Sequence, residues 1–299
     1  MPIAATMEAH PARPASTRRG GLFVADRYWA AAFATPYIAV FAVFVIYPIC
    51  YGVWLGSNPA SYRALLDDPI YPRTIVNTLL YLLFGVNLKL ALAMALSGFF
   101  TRAGWYYKAL LLVFMLPWAI PALPSYLSIN WMLNGQWGLI NNIVWDLFQV
   151  DGPPWLDSPN LALGSVIYGH IWKWLPFWTL IFLAGRLAIP RELYEAADVD
   201  GATKAQKFVH VTMPLMAGLY LVCTLLSTIW ALGDFNAVRF ISGGGPALST
   251  HVLATLGIRN AFELGDPGMG MATVLTALPL LIPLVILLMR QLRRNQVAV

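Results

Sequence analysis

Four stretches of this 299-residue chain carry no charged side chain: Tyr28 to Tyr62, Ala109 to Trp145, Val211 to Gly233 and Pro267 to Met289. Each exceeds the roughly 20 apolar residues that cross a bilayer as a helix. Two further apolar stretches, about 74–100 and 161–185, hold one lysine each, Lys89 and Lys173. Backbone polar groups in hydrocarbon must be satisfied within the segment, so these runs can only be helices. The expected fold is an all-α membrane protein with six spans at about 29–55, 74–100, 109–131, 161–185, 211–233 and 267–289. They make a domain over 28–294, with residues 1–27 as a disordered tail and 295–299 as a short one. Six spans put both termini on one side.

Only 11% of the residues are charged, against about a quarter in soluble domains. The net charge of +5 raises nucleic acid as a partner, but the placement of the basic residues answers it. Thirteen of them, from Arg13, Arg18 and Arg19 to Arg293 and Arg294, fall on the side of the N-terminus, and Arg63, Arg73, Arg239 and Arg259 fall opposite. That is the positive-inside bias, which puts both termini in the cytoplasm and calls for a lipid membrane and no nucleic acid. The first apolar run is too long for a signal peptide. Cys50 and Cys223 sit in apolar runs without metal-ligand spacing and read as small buried hydrophobes.

Proline interrupts the spans. Pro36 and Pro48 kink the first, and Pro117, Pro121 and Pro124 keep the third from being straight. The segment after it contains an amphipathic stretch, Leu139 to Phe148, suited to the membrane surface. No lysine follows a glycine and no histidine precedes a glutamate, so phosphate-cradling loops and the metalloprotease helix are absent. The four histidines are scattered. The sequence calls for no metal, no cofactor and no catalytic residue, and any ATP chemistry belongs to another chain.

One polar segment, "RELYEAADVDGATKAQKFVHV", interrupts the apolar chain at about 191–209. On a helical wheel Leu193, Ala196, Ala197, Val199 and Ala202 form a weak apolar stripe. Acids precede bases, as the helix dipole favours, and Gly201 offers a bend between two short helices. An amphipathic helix held between two spans is a handle for a soluble partner.

This segment resembles the EAA loop of bacterial ABC importer permeases: Glu-Ala-Ala, three residues, Gly, nine residues, then Ile-x-Leu-Pro. The chain has Glu195, Ala196, Ala197 and Gly201, then Val211, Met213 and Pro214, with valine and methionine at apolar packing positions. The flanks "LPWAIPAL", "WGLINN", "PNLAL", "IWKWLPFWTLIFLAGRLAIPRELYEAADVDGAT" and "SGGGPALST" are similar to the carbohydrate-uptake branch, which includes the maltose and glycerol-3-phosphate systems. The likeness runs from the first span to Arg294, although the first outer loop, Gly56 to Arg73, is short.

The resemblance implies type I ABC importer permease architecture in a bacterial or archaeal cytoplasmic membrane. It implies a second permease subunit, two copies of an ATP-binding subunit, an extracytoplasmic solute-binding protein and a carbohydrate-like solute. In that family the helix with the EAA motif seats in a cleft of the ATPase, which nominates Glu195, Ala196, Ala197, Asp198, Gly201 and Pro214 for coupling. Alternatives are a permease for another solute or an ion-gradient transporter. The latter needs intramembrane acids, and the six spans hold none.

Lys173, flanked by Trp172 and Trp174, lines the solute path, snorkels or is paired internally, since a lysine at membrane depth costs about 2.5–3.5 kcal/mol. Lys89 reads as structural. Asp234 and Asn236, just past the fifth span, are further candidates for the path; the other reading pairs them with each other and with Arg239. The turn Gly243, Gly244, Gly245 and Pro246 is a candidate contact for the binding protein, against the reading of a solvated turn.

Overall fold

A computed structural model describes the backbone of residues 20–297 and the side chains of 28–293. Among these residues every regular element is helical. The internal contacts divide the chain into residues up to Gly52 and residues from Val53 onward. In the first part, helix α1 (Gly20–Phe41) runs through one wide turn, Ala42–Ile46, into α2 (Tyr47–Gly56). Its backbone is helical from Gly20, so 20–27 is not the irregular tail expected. The rest of that tail, including Arg13, Arg18 and Arg19, lies outside the described residues, as do positions 298–299. Rings stack along α1 and α2 at i,i+4 spacing, Tyr37 on Phe41 and Tyr47 on Tyr51. Large apolar side chains are exposed all along it, which suits a helix facing lipid or another chain.

The second part opens with α3 (Pro59–Asp67), started by an Asn58 side chain that accepts from the Ala60 N–H, with proline at the first helical position. Helix α4 (Tyr71–Phe100) follows, widened into a π turn at Leu83–Leu88. Helices α5 (Trp105–Ala119) and α6 (Ala122–Met132) meet at a 93° bend where Pro121 denies the backbone its next N–H. Then come the amphipathic α7 (Leu139–Phe148) and the 29-residue α8 (Pro159–Leu187).

The polar segment forms α9 (Arg191–Val199), a turn, and α10 (Lys204–Leu232), which includes a π turn at Phe208–Thr212. Beyond it lie α11 (Asn236–Ile241), α12 (Leu253–Ile258) and the final span α13 (Pro267–Arg293). Among the described residues four helices are individually long and apolar enough to cross a membrane, and the bent pair α5–α6, taken as one span, makes a fifth. The stretch expected as the fourth span is α8, which has the length but carries His170 and Lys173.

The core of this part gathers Tyr81, Leu90, Trp178, Phe182, Met216 and Ile241 from α4, α8, α10 and α11. Helix α8 runs through its middle. Association in lipid depends on close packing and on polar contacts between helices, because apolar burial alone gains little there. Both occur along α8.

Candidate functional site

Four polar side chains far apart in sequence meet beside α8. Lys89 lies on α4 just after the π turn, an insertion that re-aims the residues around it. Its Nζ is 2.9 Å from His170 Nε2 on α8. Lysine can only donate, so Nε2 accepts and the imidazole proton sits on Nδ1. That N–H donates to Asp234 Oδ2 at 2.8 Å, and the Tyr81 hydroxyl of α4 donates to the same oxygen at 2.7 Å. The other carboxylate oxygen accepts the backbone N–H groups of Asn236 and Ala237 and so starts α11.

Lys89 and His170 are buried, and only 10% of the Asp234 side chain is exposed. Burial pushes the Asp234 carboxyl up, but the hydrogen bonds from His170, Tyr81 and the Ala237 N–H outweigh it and hold the group below its ordinary value. Although the spans themselves contain no acid, this carboxylate just past the fifth turns back into the helix core. It pairs with His170 rather than Arg239, which bonds Glu263 at 2.9 Å instead.

A cavity of about 180 Å³ is lined by Lys89, His170, Trp174, Trp178, Ser227, Trp230, Gly233, Asp234 and Asn236. The Trp230 ring lies 5.8 Å from Trp174 and 5.6 Å from Trp178. Lys89 Nζ sits over the Trp178 ring at 5.9 Å. The Ser227 hydroxyl is buried and has no hydrogen-bond partner among the described residues. Aromatic faces beside an unfilled hydroxyl, an amide and a charged pair can hold an amphipathic polar solute.

Lys173 and Trp172 lie elsewhere. Lys173 Nζ donates to the carbonyls of Pro117, Trp118 and Ile120 at the α5–α6 bend. These are acceptors that a broken helix leaves over, and the lysine caps them. Trp172 faces a separate apolar groove with Ile120, Pro124 and Tyr168. Of the residues expected on the path, Asp234 and Asn236 line the cavity. Lys89, His170, Trp178, Ser227 and Trp230 were not expected there. Polar residues inside apolar runs, Lys89 and His170, were the available signal.

The polar segment bends at Gly201 as expected, but its second half is the start of the long helix α10 and not a second short helix. Helix α9 ends where Gly201 adopts φ +74°, and the N–H groups of Ala202 and Gly201 bond back to the carbonyls of Ala197 and Asp198. Thr203 then caps α10 with Gln206 in a reciprocal pair. Lys207 bonds Asp198 at 2.5 Å across the turn. Glu195 and Ala196 are exposed and Ala197 half-buried. Leu193, Ala196, Ala197, Gly201 and Val211 help line a shallow groove of about 410 Å³. Pro214 lies within α10, two residues past the π turn Phe208–Thr212.

The Gly243–Pro246 turn is held by its own contacts. The Thr250 hydroxyl donates to the Gly245 carbonyl at 2.7 Å, and the Thr250 N–H to that of Gly244. Gly244 is buried, while Gly243 and Ala247 are exposed.

A helical membrane subunit with a polar cavity among its helices and an amphipathic segment between two of them has the anatomy of a transport component. The chain belongs to the family of binding-protein-dependent transport system inner membrane components, whose model matches residues 87–296. It is an ABC importer permease, an inner-membrane transport component. The permease SmoG of the Agrobacterium fabrum sulfoquinovosyl glycerol system is 32% identical, over 89% of this chain and 91% of its own. MalF of the Thermococcus litoralis trehalose/maltose system is 30% identical, over 79% and 84%. A chain of a bacterial alginate ABC transporter, solved with its pentasaccharide-bound periplasmic protein, has the same fold. Its TM-score is 0.82 over 93% of this chain and 98% of that one, at 20% identity.

Proposed function

We propose that this permease passes a carbohydrate-like solute through the cavity beside Asp234, driven by a separate ATPase seated on α9. The observation that carries the reading is the cavity wall: three tryptophan faces around an unpartnered buried Ser227 hydroxyl and the Asn236 side chain. Aromatic faces pack on sugar C–H surfaces while hydroxyls exchange hydrogen bonds with the polar groups. At about 180 Å³ it is below the roughly 300–1,000 Å³ of pockets for drug-sized ligands, so it takes one sugar ring at a time. Names of relatives for sulfoquinovosyl glycerol and trehalose/maltose systems support the same solute class. The binding protein, the second permease and two ATPase copies complete the assembly. Gly243 and Ala247, at the tip of the turn, offer the binding protein a contact.

Uptake of a panel of radiolabelled saccharides in cells tests this reading. Trp230→Ala and Ser227→Ala should each lower uptake of the transported sugar about tenfold or more, the scale for a site left with unpaired polar groups. Trp172→Ala, outside the cavity, should not. Normal uptake in both cavity variants at normal expression would refute the assignment.

The six-span topology, with both termini and α9 in the cytoplasm, rests on the distribution of basic residues. In a chain with Cys50→Ser and Cys223→Ala, an impermeant thiol reagent added to intact cells should label Ala247→Cys and leave Ala205→Cys unlabelled. Both positions are exposed. Labelling at 205 instead would invert the orientation.

A further inference from the structure

At the ends of α4 and α8 nearest α9, one half-buried cation joins three elements. Arg186, in the last turn of α8, donates from Nε to Ser97 Oγ at 3.2 Å and from Nη2 to the Met94 carbonyl at 3.0 Å, both on α4. Its guanidinium lies over the Phe208 ring, 5.6 Å from the centroid, at the first residue of the π turn in α10. Helix α4 leaves room for it: a Cβ at Gly98 would stand 2.9 Å from Nη1. Helix α9 holds the same π turn, because the Tyr194 hydroxyl and Thr212 Oγ1 are 2.9 Å apart.

We propose that Arg186 is the positioning residue that carries displacement of α9 to α4, the span holding Lys89 in the cavity wall. The inference rests on the reading of α9 as the ATPase seat. Movement of α9 drags the π turn through Tyr194 and Thr212. The turn bears on the guanidinium through Phe208, and the guanidinium is fixed to α4 by two hydrogen bonds. A planar fork does this in a way a point charge does not, since it stacks on a ring and bonds in its own plane at once. Packed and hydrogen-bonded links of this kind carry coupling between distant sites when they have two arrangements.

The test measures the distance between spin labels at Thr101→Cys, at the end of α4, and Asn142→Cys, on α7, both exposed. The chain carries Cys50→Ser and Cys223→Ala and is purified with its partner subunits in lipid vesicles, without nucleotide and with ATP plus orthovanadate. The parent should shift by at least about 2 Å, the scale of helix displacements in switching proteins. Arg186→Ala should lose at least half of that shift while ATP hydrolysis continues. Gly98→Ala, which keeps the arginine but crowds it from α4, should do the same in a chain that folds. A full shift in either variant, with the shift lost in Gly201→Leu, overturns the role of Arg186 alone. A full shift in Gly201→Leu, or none in the parent, overturns the seat on α9 and this inference with it.

Discussion

Asp234→Ala is expected to cost the folded subunit about 3–5 kcal/mol, the usual penalty for leaving a buried charge uncompensated. The carboxylate accepts from the Tyr81 hydroxyl, the His170 imidazole and two backbone N–H groups of α11. Alanine strands all four donors and leaves the Lys89 charge without its counterion. Against a total stability of about 5–15 kcal/mol the loss is large. The purified subunit should melt at least about 6 °C lower, taking roughly 2 °C or more per kcal/mol for a domain of this size. Asp234→Asn keeps an acceptor and should fall between. Adding Lys89→Met to Asp234→Asn should recover stability, because the double variant has no lone charge, with a coupling on the order of 1 kcal/mol. A melting temperature for Asp234→Ala equal to the parent's, or strict additivity in the pair, would show that the chain of bonds contributes nothing.

The apolar runs were legible because hydrocarbon leaves a chain few choices. Runs of this length must be helical, and Pro121 marks the one sharp bend among the described spans, whereas Pro36, Pro117, Pro176 and Pro283 lie inside continuous helices. The bend at Pro121 and the turn at Gly201 both follow from local chemistry. Gly201 takes a positive φ, and Thr203 with Gln206 forms a capping pair whose spacing is visible in the sequence.

The two lysines show what was not legible. Lys89 and Lys173 look alike in sequence, each a single charge in an apolar stretch. Lys173, with tryptophans on both sides, reads equally as a residue of the path and as a snorkelling or internally paired lysine. Its surroundings differ through contacts more than fifty residues away: the carbonyls at the α5–α6 bend take its protons. Lys89 meets His170 across α8 and faces the cavity. Helix order and length do not say which face of a span meets which neighbour, and a π turn such as Leu83–Leu88 rotates everything after it. Asp234 shows the same limit, since its proximity in sequence to Arg239 suggested a pair. Arg239 lies on α11 and bonds Glu263, whereas the Asp234 side chain caps that helix and turns inward.

Gly201→Leu should leave the subunit inserted and folded yet abolish coupled transport. A Cβ at Gly201 would meet nothing within 4 Å in this chain, so the substitution adds no internal clash. Its backbone cost is that of a left-handed conformation, about 1–2 kcal/mol for an ordinary residue. That strain favours unwinding the turn between α9 and α10, which sets the angle between Glu195 on α9 and the groove beside it. If an ATPase seats there, the leucine side chain also enters the contact, and overpacking a buried contact costs about 1–3 kcal/mol. Together these exceed the roughly 1.4 kcal/mol that shifts an equilibrium tenfold, so uptake and binding-protein-stimulated ATP hydrolysis should fall together by about tenfold or more. Gly201→Ala introduces the same backbone strain with little bulk and should fall less, which separates strain from crowding. Glu195→Ala removes an exposed acid with no intrachain ion pair among the described residues, so any loss in it reports on a partner. The measurements are stimulated ATPase activity and uptake in reconstituted vesicles, with a pull-down of the ATPase. If Gly201→Leu and Glu195→Ala both keep full activity, α9 is a solvated connector and the motor seats elsewhere.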